Sequence, residues 1–301
     1  PCCYYFCFKR FIKAQPYPLV YQTQICIIGA GPGGATAALQ LAKLGIECIV
    51  ADKAVFPRDK ICGDGLSGKV AAILDKIDPD IIKKFQQEPY KQNSFGILFT
   101  APNRQPVPVP FSLNYQKNKH NPRGFVSKRI DFDHFLIQQI RQQQKITFLE
   151  NAHIVTHTLT PNGYTLSDEK EELTIHAQML IVANGAHSRF AKETGGITMD
   201  PNHHIAGIRA YYNNVKGLHQ DGFIELHFLK NVLPGYFWIF PLPNGSANVG
   251  LGMHSSILHR QKINLKKLLL EIIETDPILK NRFTGATPQG GIDGYGLPLG
   301  S

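Results

Sequence analysis

The chain has 301 residues, of which 43% are hydrophobic and 18% charged, and this composition excludes the disordered and fibrous classes of protein. No apolar run reaches the roughly 20 residues that a membrane-spanning helix requires, so we expect no integral membrane segment. The length suffices for two domains of common size, or for one large α/β domain that carries an inserted sheet.

The formal net charge of +9 is compatible with nucleic acid, an acidic membrane surface or an anionic cofactor. The basic residues are scattered, and the nearest approach to a cluster is formed by Lys117, Lys119, Arg123, Lys128 and Arg129. No nucleic-acid-binding module accompanies them, which favours a solvated basic face. We therefore expect no nucleic-acid partner, and we interpret the charge as compatible with a dinucleotide and with acidic lipid headgroups.

All six cysteines lie in the first fifth of the chain, at positions 2, 3, 7, 26, 48 and 62. Disulfide frameworks belong to small secreted domains, whereas Cys26 and Cys48 fall inside predicted buried strands. The spacing typical of metal ligands is absent, so we expect no metal. These features favour a reducing, cytoplasmic setting, with peripheral contact to a membrane also compatible.

A strand, a glycine-rich turn and a helix follow one another near the start of the chain. Residues 24–28 form a short β-branched run, and residues 35–45 predict a helix that ends at Gly45. Residues 46–52 predict a second buried strand, parallel to the first because a helix crosses between them. Together these elements predict a βαβ unit.

The turn of this unit, residues 29–34, has the sequence GAGPGG and matches the GxGxxG pattern. Gly29 permits the sharp turn, Gly31 lets a pyrophosphate approach, and Gly34 allows the helix to pack on the strand. The free N–H groups and partial positive charge of the helix N-terminus favour an anion. Asp52 follows Gly29 by 23 residues, where a carboxylate can accept both ribose hydroxyls of an adenosine. The predicted dinucleotide site consists of Gly29, Ala30, Gly31, Pro32, Gly34, Asp52 and Lys53.

The rest of the chain divides into helical, proline-rich and sheet-forming regions. Helices are predicted at residues 70–85, 132–144 and 263–275, and strands at residues 145–149, 152–159, 179–183, 205–212, 222–228, 236–241 and 247–253. The predicted domains are a nucleotide-binding domain at 21–90, 121–200 and 287–301, a substrate-binding sheet at 91–120 and 201–286, and a tail of unknown role at 1–20.

The loop of residues 57–67 contains the pattern K-x-C-G-x-G-x-S, with Lys60, Cys62, Gly63, Gly65 and Ser67. It resembles a segment beside the flavin in the geranylgeranyl reductase family, a branch of the p-hydroxybenzoate hydroxylase-like flavoprotein fold. The resemblance implies that the cofactor is FAD. Two interpretations of Cys62 stay open, a small buried hydrophobic residue and a flavin-facing thiol.

Two further segments are similar to FAD-contacting motifs of this family. Residues 129–136 resemble its R-x-x-F-D-x-x-L stretch, which implies that Arg129 reaches the cofactor, although a surface arginine beside a helix cap would give the same pattern. Residues 182–189 resemble its second fingerprint, A-D-G-A-x-S. Asn184 stands where the family has Asp, and Gly185 and Ser188 complete the match.

A third match is the most specific, because type and spacing both agree. Residues 236–241 and the following Gly250 and Gly252 are similar to the family signature Y-x-W-x-F-P-x8-G-x-G. On a strand Tyr236, Trp238 and Phe240 point to one face and form a wall suited to an apolar isoprenoid. The alternative is an aromatic core face. The implied substrate contacts are Tyr236, Trp238, Phe240, Pro241, Gly250 and Gly252.

The resemblance implies a three-layer α/β, Rossmann-like FAD-binding domain with an inserted, mainly antiparallel β substrate domain. It implies reduction of carbon-carbon double bonds in an isoprenoid by hydride from flavin N5, with Cys62 or an ordered water as proton donor. NAD(P)H or a reduced ferredoxin-like protein is the expected electron source. The family carries a third FAD segment beyond a stretch such as residues 294–300, so we expect a longer protein.

Three alternatives stay open beside this function. The first is a flavin monooxygenase or halogenase of the same fold, which would consume oxygen and act on aromatic substrates. The second is an inactive, incomplete flavin-binding fragment, and nucleic-acid binding is a distant third. The implied cofactor contacts outside the dinucleotide turn are Lys60, Cys62, Gly63, Gly65, Arg129, Asn184, Gly185 and Ser188.

Overall fold

The computed structural model of the chain describes residues 18–116, 121–196 and 200–299. Most of the predicted tail, together with Lys117 and Lys119 of the basic cluster, lies outside the described residues. The helices within them are α1 (Pro32–Lys43), α2 (Gly68–Ile77), α3 (Pro79–Gln87), α4 (Arg129–Arg141), α5 (Arg189–Gly195), α6 (Ser255–Gln261), α7 (Leu265–Thr275) and α8 (Leu279–Phe283).

The strands alternate with these helices in the first half of the chain and dominate the second. They are β1 (Leu19–Ile28), β2 (Cys48–Ala51), β3 (Gly65–Leu66), β4 (Lys91–Ser94), β5 (Gly96–Thr100), β6 (Pro106–Pro110), β7 (Gly124–Ser127), β8 (Ile146–Leu149), β9 (Ile154–Thr160), β10 (Gly163–Asp168), β11 (Leu173–Val182), β12 (His204–Asn213), β13 (Ile224–His227), β14 (Tyr236–Pro241), β15 (Ala247–His254) and β16 (Thr287–Pro298).

The first sheet has six strands in the order β8-β2-β1-β11-β10-β9. The pairs among β8, β2, β1 and β11 are parallel, whereas β10 pairs antiparallel with β11 and with β9. One face packs against α1 to α4 in a core that includes Ile27, Val50 and Leu136. The other face packs on residues of the antiparallel strands, including Leu166 and Ile175. The three layers of this Rossmann-like domain are therefore the helices, the parallel strands of the sheet, and its antiparallel strands β9 and β10.

The second sheet has seven strands in the order β16-β12-β15-β14-β13-β5-β6. All its pairs are antiparallel except that of β13 with β5. One face is buried under α7 and α8 in a core with Phe237, Val249 and Leu251. Successive side chains of a strand point to opposite faces, so residues 236, 238 and 240 lie on the other face. The predicted α/β class with an inserted, mainly antiparallel sheet is confirmed.

Several element boundaries differ from the predicted ones. The predicted helix at 70–85 is two helices, because Pro79 disfavours the helical conformation at Asp78, which is extended and caps α3 by accepting a hydrogen bond from the Asp80 N–H at 2.9 Å. Strand β1 begins at Leu19, inside the predicted tail, and β10, β16 and α6 were not predicted.

Two strands also pair differently from the predicted domain division. Strand β16, from the segment assigned to the nucleotide-binding domain, is hydrogen bonded to β12 of the second sheet. Strand β4, from the segment assigned to the substrate sheet, joins β3 and β7 in a small separate sheet. The domain boundaries themselves stay a prediction.

Candidate functional site

The nucleotide loop, residues 29–34, joins β1 to α1 and is held closely against its surroundings. The Gly29 N–H donates to the Ala51 carbonyl at 2.8 Å, and Gly29 has a φ of +99°. A Cβ on Gly29 would lie 2.7 Å from the carbonyl carbon of Ala183, and one on Gly34 would overlap the Gly29 carbonyl oxygen. Both positions therefore require glycine.

The outer side of the same loop is open. A Cβ on Gly33 would meet nothing within 4 Å, and one on Gly31 would meet only the guanidinium of Arg58, at 3.7 Å. Helix α1 has Gly31 as its N-cap residue and Pro32 at its first position, and within the described residues no side chain caps it. Its N–H groups are thus left to an anion, and this cradle fits a phosphate group.

Asp52 is 9% exposed and accepts hydrogen bonds from the nucleotide loop and from the backbone that follows β2. Its Oδ2 accepts from the Ala30 N–H at 2.6 Å, and its Oδ1 accepts from the Ala54 N–H at 2.8 Å. Each carboxylate oxygen has a second lone pair, so the predicted ribose contact stays compatible with this geometry. Lys53, the next predicted residue, is exposed to solvent.

The second fingerprint lies beside the nucleotide loop because β1 and β11 are parallel neighbours whose carboxyl ends meet at one edge. The Ala183 N–H donates to the Ile28 carbonyl at 2.8 Å. Asn184 is exposed, and Gly185 has a φ of +93°. Ser188 is buried and its Oγ accepts from the Ala191 N–H at 3.0 Å, so it caps α5.

Two arginines share one buried carboxylate near the loop. Arg129 binds Asp133 through two hydrogen bonds of 2.7 and 2.8 Å, and Arg58 binds the same carboxylate at 2.6 Å. Asp133 is fully buried. Two guanidinium groups on one carboxylate leave a local excess of one positive charge. This positive charge lies beside the nucleotide loop, because the Arg58 guanidinium is 3.7 Å from where a Cβ on Gly31 would be.

Lys60 belongs to the 57–67 loop, and its side chain contacts the second sheet. Its ammonium is 3.0 Å from the centroid of the Tyr295 ring on β16. Burial, followed by the charge of Arg129, lowers the pKa of Lys60 to about 8. The Cys62 side chain is half-buried beside Arg129. Burial lowers the pKa of Arg129, but Asp133 and then Cys62 outweigh burial, so that pKa is raised.

The aromatic face of the second sheet is built from three strands in register. Tyr236, Trp238 and Phe240 lie on β14, with ring centroids 6.1 and 6.2 Å apart along the strand. Their direct neighbours on β15 are Gly252, Gly250 and Asn248, and the neighbours of these on β12 are Gly207, Arg209 and Tyr211. The predicted placement of three aromatic rings on one face is therefore what the structure has.

The glycines of the signature provide space for the indole ring. A Cβ on Gly250 would overlap both the Ile208 carbonyl oxygen and the Trp238 ring, whereas one on Gly252 would have its nearest neighbour at 3.5 Å. Trp238 therefore lies across the sheet over Gly250, toward Gly207. Because Gly250 stands two residues before Gly252, this face of β15 has no side chain at either position, and Asn248 is the next side chain on it.

The 57–67 loop covers part of the aromatic face. Cβ atoms on Gly63 and Gly65 would lie 3.2 and 3.1 Å from the Phe240 ring, so the loop backbone rests on that ring. Trp238 is 9% exposed and Tyr236 is 36% exposed. The wall is thus most open to solvent at Tyr236, whereas Phe240 is half-buried under the loop and Pro241 beyond it is buried.

Four residues that contribute to this site were not among the predicted site residues: Arg58, Asp64, Tyr211 and Asn248. Asp64 and Asn248 are both fully buried and hydrogen bonded to each other at 2.8 Å. Asp64 stands at the variable position of C-G-x-G, and Asn248 falls within the unspecified x8 spacing of the signature. Their polar character inside an otherwise apolar pattern was the available signal.

Within residues 18–116, 121–196 and 200–299, no three His, Cys, Asp or Glu side chains are arranged to hold a metal ion. Nor does any helix there combine the length and the apolar character required to cross a membrane.

Two family models match the chain, and curated proteins are similar to it over most of its length. The model described as FAD binding domain matches residues 22–233, and the model described as Geranylgeranyl reductase catalytic domain matches residues 205–284. A menaquinone reductase of Mycobacterium tuberculosis is 28% identical over 256 residues, covering 81% of this chain and 58% of the relative. A digeranylgeranylglycerophospholipid reductase of Thermoplasma acidophilum is 27% identical over 262 residues, covering 85% of this chain and 62% of the relative. The chain thus spans about three fifths of these relatives.

Solved structures show the same fold. A geranylgeranyl bacteriochlorophyll reductase-like protein from Thermoplasma acidophilum superposes with a TM-score of 0.75 and 22% identity, covering 93% of this chain and 67% of that one. A myxobacterial FAD-dependent chondrochloren halogenase superposes with a TM-score of 0.76 and 22% identity, covering 91% of this chain and 64% of that one. At these identities the likeness concerns the fold.

Proposed function

This chain belongs to the FAD-binding domain family and continues into a geranylgeranyl reductase catalytic domain, and from that premise we propose that it reduces carbon-carbon double bonds of an isoprenoid chain. FAD is its cofactor. The observation that carries the proposal is the aromatic face over Gly250, which adjoins the 57–67 loop of the nucleotide-binding part. An extended apolar chain needs such a surface, because it offers no polar group for recognition.

The residues proposed to hold FAD are those of the first sheet and the 57–67 loop. The nucleotide loop and the positive excess of Arg58 and Arg129 suit the pyrophosphate, and Asp52 suits the ribose. Asn184 and Gly185 lie beside the loop and complete the cradle. When bound and reduced, FAD supplies a hydride from N5.

The proposed roles of the other residues are positioning and proton supply. An isolated alkene has no carbonyl to stabilise charge, so the reaction depends on holding the double bond correctly in a place from which water is excluded. Tyr236, Trp238 and Phe240 would form the apolar wall. Cys62 would hold the proton for the second alkene carbon, with an ordered water as the alternative. Hydride and proton together add two hydrogens and consume one double bond.

The substrate class finds support in the relatives, whose names specify a digeranylgeranyl glycerophospholipid in one case and menaquinone in another. An isoprenoid chain is the part common to both. We extend the proposal to a cytoplasmic protein that contacts the membrane peripherally, since such lipids reside there. NAD(P)H or a reduced ferredoxin-like protein would supply the electrons.

The experiment uses the full gene product that contains this chain, purified with its flavin released and counted. The protein is reduced with dithionite without oxygen and given a geranylgeranyl phospholipid in detergent. We expect one FAD per chain and a lipid product heavier by two hydrogens for each double bond reduced. Flavin without any such product would contradict the proposed substrate class, and no flavin would contradict the cofactor assignment for this protein.

Single substitutions test which residues the proposed reaction depends on. Tyr236→Ala truncates the most exposed ring of the wall and is expected to lower turnover of the lipid while FAD stays bound. The matched control is Leu159→Ala, because Leu159 is 72% exposed on β9 of the first sheet, remote from the wall in sequence and sheet. Cys62→Ala separates the two proton sources, since full turnover in that variant would assign the proton to water.

A flavin monooxygenase or halogenase is the second candidate, favoured by the shared fold with the chondrochloren halogenase. It predicts oxygen consumption in the presence of an aromatic substrate and no change in the isoprenoid. An inactive, incomplete flavin-binding fragment predicts neither reaction for the 301-residue chain, and failure of that chain to retain FAD would favour it. The lipid assay, repeated with oxygen and a phenolic substrate, distinguishes the three outcomes.

A further inference from the structure

A buried group of polar side chains lies on the aromatic face beside Phe240, and we name it the Asn248 cluster: Asp64, Tyr211, Trp238, Asn248 and the backbone carbonyl of Cys62. The Trp238 indole N–H donates to Oδ1 of Asn248 at 2.9 Å. The amide Nδ2 of Asn248 donates to the Cys62 carbonyl at 2.9 Å and to Oδ2 of Asp64 at 2.8 Å. The Tyr211 hydroxyl donates to the same Asp64 oxygen at 2.7 Å.

Every side chain of the cluster is removed from solvent. Asp64 and Asn248 are 0% exposed, Tyr211 is 7% exposed and Trp238 is 9% exposed. A polar group buried in this way must find its partners inside the protein, because water cannot replace them. The cluster therefore has one arrangement that satisfies its members rather than several.

The chemistry of the members determines which way the Asn248 amide points. An ionised carboxylate and a backbone carbonyl only accept hydrogen bonds, whereas an indole N–H only donates. If the amide of Asn248 were turned over, its oxygen would face two acceptors and its NH₂ would face the indole donor. Asp64 and the Cys62 carbonyl thus orient Asn248 with its oxygen toward Trp238.

The indole ring needs this bond for its orientation. It lies over Gly250, where the sheet has no side chain, and a Cβ on Gly207 would still be 3.9 Å from the far edge of the ring. A glycine surface supports the ring from below but accepts either of the two orientations that a half-turn about the Cβ–Cγ bond exchanges, and only one of these directs Nε1 toward Asn248. The hydrogen bond at Nε1 supplies the missing constraint.

The same amide also holds the loop. Asn248 belongs to β15 of the second sheet, and the Cys62 carbonyl belongs to the 57–67 loop, so their bond joins parts of the chain 186 residues apart. Asn248 is therefore positioned to hold both the orientation of the Trp238 ring and the position of the Cys62 backbone relative to that ring.

We propose that Asn248, oriented by Asp64, is a positioning residue that sets both the Trp238 ring and the Cys62 segment on either side of the substrate path. The hydrogen-bonding role stands by itself, and only its consequence for substrate rests on the proposed function. Asn248 does not react. It determines which part of an isoprenoid chain the wall and the Cys62 segment hold.

The test observes the Trp238 indole proton directly in the FAD-loaded full-length protein. Tryptophan is labelled with 15N, and the Trp238 signal is assigned by its loss in Trp238→Phe. In Asn248→Leu, which has similar volume but no amide, the proton loses its acceptor. We expect an upfield shift and exchange with solvent about fivefold faster or more, the effect of one lost hydrogen bond.

Two controls separate positioning from general loosening. His227→Leu removes a buried hydrogen-bonded side chain from β13 whose register partner, Phe237, lies on the opposite face, and should leave the Trp238 signal in place. Asp64→Asn keeps an acceptor for Asn248 and is compatible with the φ of +66° at that position. It should keep the signal close to its original position.

The outcomes are distinct from those of the proposed function because no turnover is required. An unchanged Trp238 proton in Asn248→Leu would overturn the positioning role, and so would an equal change in His227→Leu. If Asn248→Leu does not fold, Asn248→Thr is the substitute, since threonine suits a strand and is too short to reach Nε1. If Asn248→Leu changes the Trp238 indole proton but the wild-type protein reduces no lipid, the positioning role is supported and the proposed substrate class is contradicted.

Discussion

The nucleotide loop and the aromatic face solve the problem of ligand placement in different ways. The nucleotide loop uses backbone: glycines at positions 29 and 34 let the chain turn tightly, and free N–H groups at the start of α1 point outward. The aromatic face uses side chains from three strands and a loop, and its central bond joins residues 184 positions apart in Asp64 and Asn248. One is a local structure and the other exists only after the sheets assemble.

This difference shows where each site is vulnerable. The loop should fail through steric overlap at Gly29 and Gly34, since an atom added at either position meets backbone. The aromatic face should fail mainly through loss of orientation, because its side chains can relax.

The largest effect is expected from Gly29→Ala in the nucleotide loop. A methyl group there would meet the Ala183 carbonyl carbon at 2.7 Å, on a backbone with a φ of +99°. We expect the free energy of unfolding to fall by about 4 kcal/mol, from strain and overpacking together, and bound FAD to be lost. Urea denaturation and flavin absorbance measure both.

Gly33→Ala is the matched control, because Gly33 is exposed in α1 and a Cβ there meets nothing within 4 Å. Its stability should be unchanged or slightly higher, since alanine is the better helix residue. Equal damage in both variants would mean that the loop is sensitive to any change and that overlap is not the cause.

The second prediction concerns pH and Asp64. Burial raises the pKa of Asp64 from 3.8 to about 6, although Tyr211, Asn248 and the nearby charge of Arg209 oppose the rise. A carboxyl whose pKa is higher in the folded than in the unfolded state contributes most below the unfolded pKa, and this contribution is lost as pH rises through the folded pKa. Relative to Asp64→Asn, the wild-type protein should therefore lose on the order of 3 kcal/mol of unfolding free energy between pH 4 and 7.

Parallel urea titrations of wild-type protein and Asp64→Asn over this pH range measure the difference, and the other carboxylates cancel in it. A constant difference across the range would show that Asp64 titrates normally. The Arg129 N–H also contacts the Asp64 carboxylate, at 3.3 Å, so Asp64→Asn should leave that side of the cluster bonded.

The third prediction tests the aromatic face through Gly250→Ala. The added methyl overlaps both the Ile208 carbonyl oxygen and the Trp238 ring, so β12 must shift as well as the ring, and we expect a loss of about 3 kcal/mol in unfolding free energy. Gly250 does not have the positive φ of Gly29, so the damage should be smaller than in Gly29→Ala. FAD should stay bound while lipid reduction falls, as measured by flavin absorbance and product mass.

Gly252→Ala serves as the stability control, because its nearest neighbour would be at an ordinary distance of 3.5 Å. Stability should change little in that variant. If both substitutions cost the same, the space under Trp238 is not what the signature glycine preserves.

The smallest effect is expected from Arg58→Gln. Arg129 would still hold Asp133 through two bonds, so the fold should persist while one positive charge near the nucleotide loop disappears. We expect FAD affinity to fall about fivefold, the effect of one weakened polar contact. Lys83→Gln removes an exposed charge whose partner is Asp80 on α3 and should not change the affinity. Flavin titration by fluorescence compares the two.

Local sequence patterns predicted a large part of this molecule. The first βαβ unit, the strands at 205–212, 236–241 and 247–253, and the common face of Tyr236, Trp238 and Phe240 all agree with the structure. They could be predicted because periodicity and glycine placement act over a few residues, the same range over which a turn or a strand forms. The family motifs were recognisable for the same reason.

The elements that escaped prediction depend on neighbours. Strand β16 contains four glycines and little alternation, and it is a strand because β12 supplies its hydrogen-bond partners. Pro79 divides a helical pattern that would otherwise continue, and this signal was present in the sequence but outweighed by periodicity.

The sequence by itself determined the nucleotide loop, the aromatic strand and the family to which the chain belongs, since each is written in contiguous residues. Chain folding alone brings Arg58 and Arg129 together on Asp133, and it brings Asp64, Asn248 and the Cys62 carbonyl together beside the edge of the Trp238 ring. A buried polar group must form its hydrogen bonds with the donors and acceptors that lie next to it in the folded chain. Its partner is then chosen by the packing of two sheets and not by spacing along the chain.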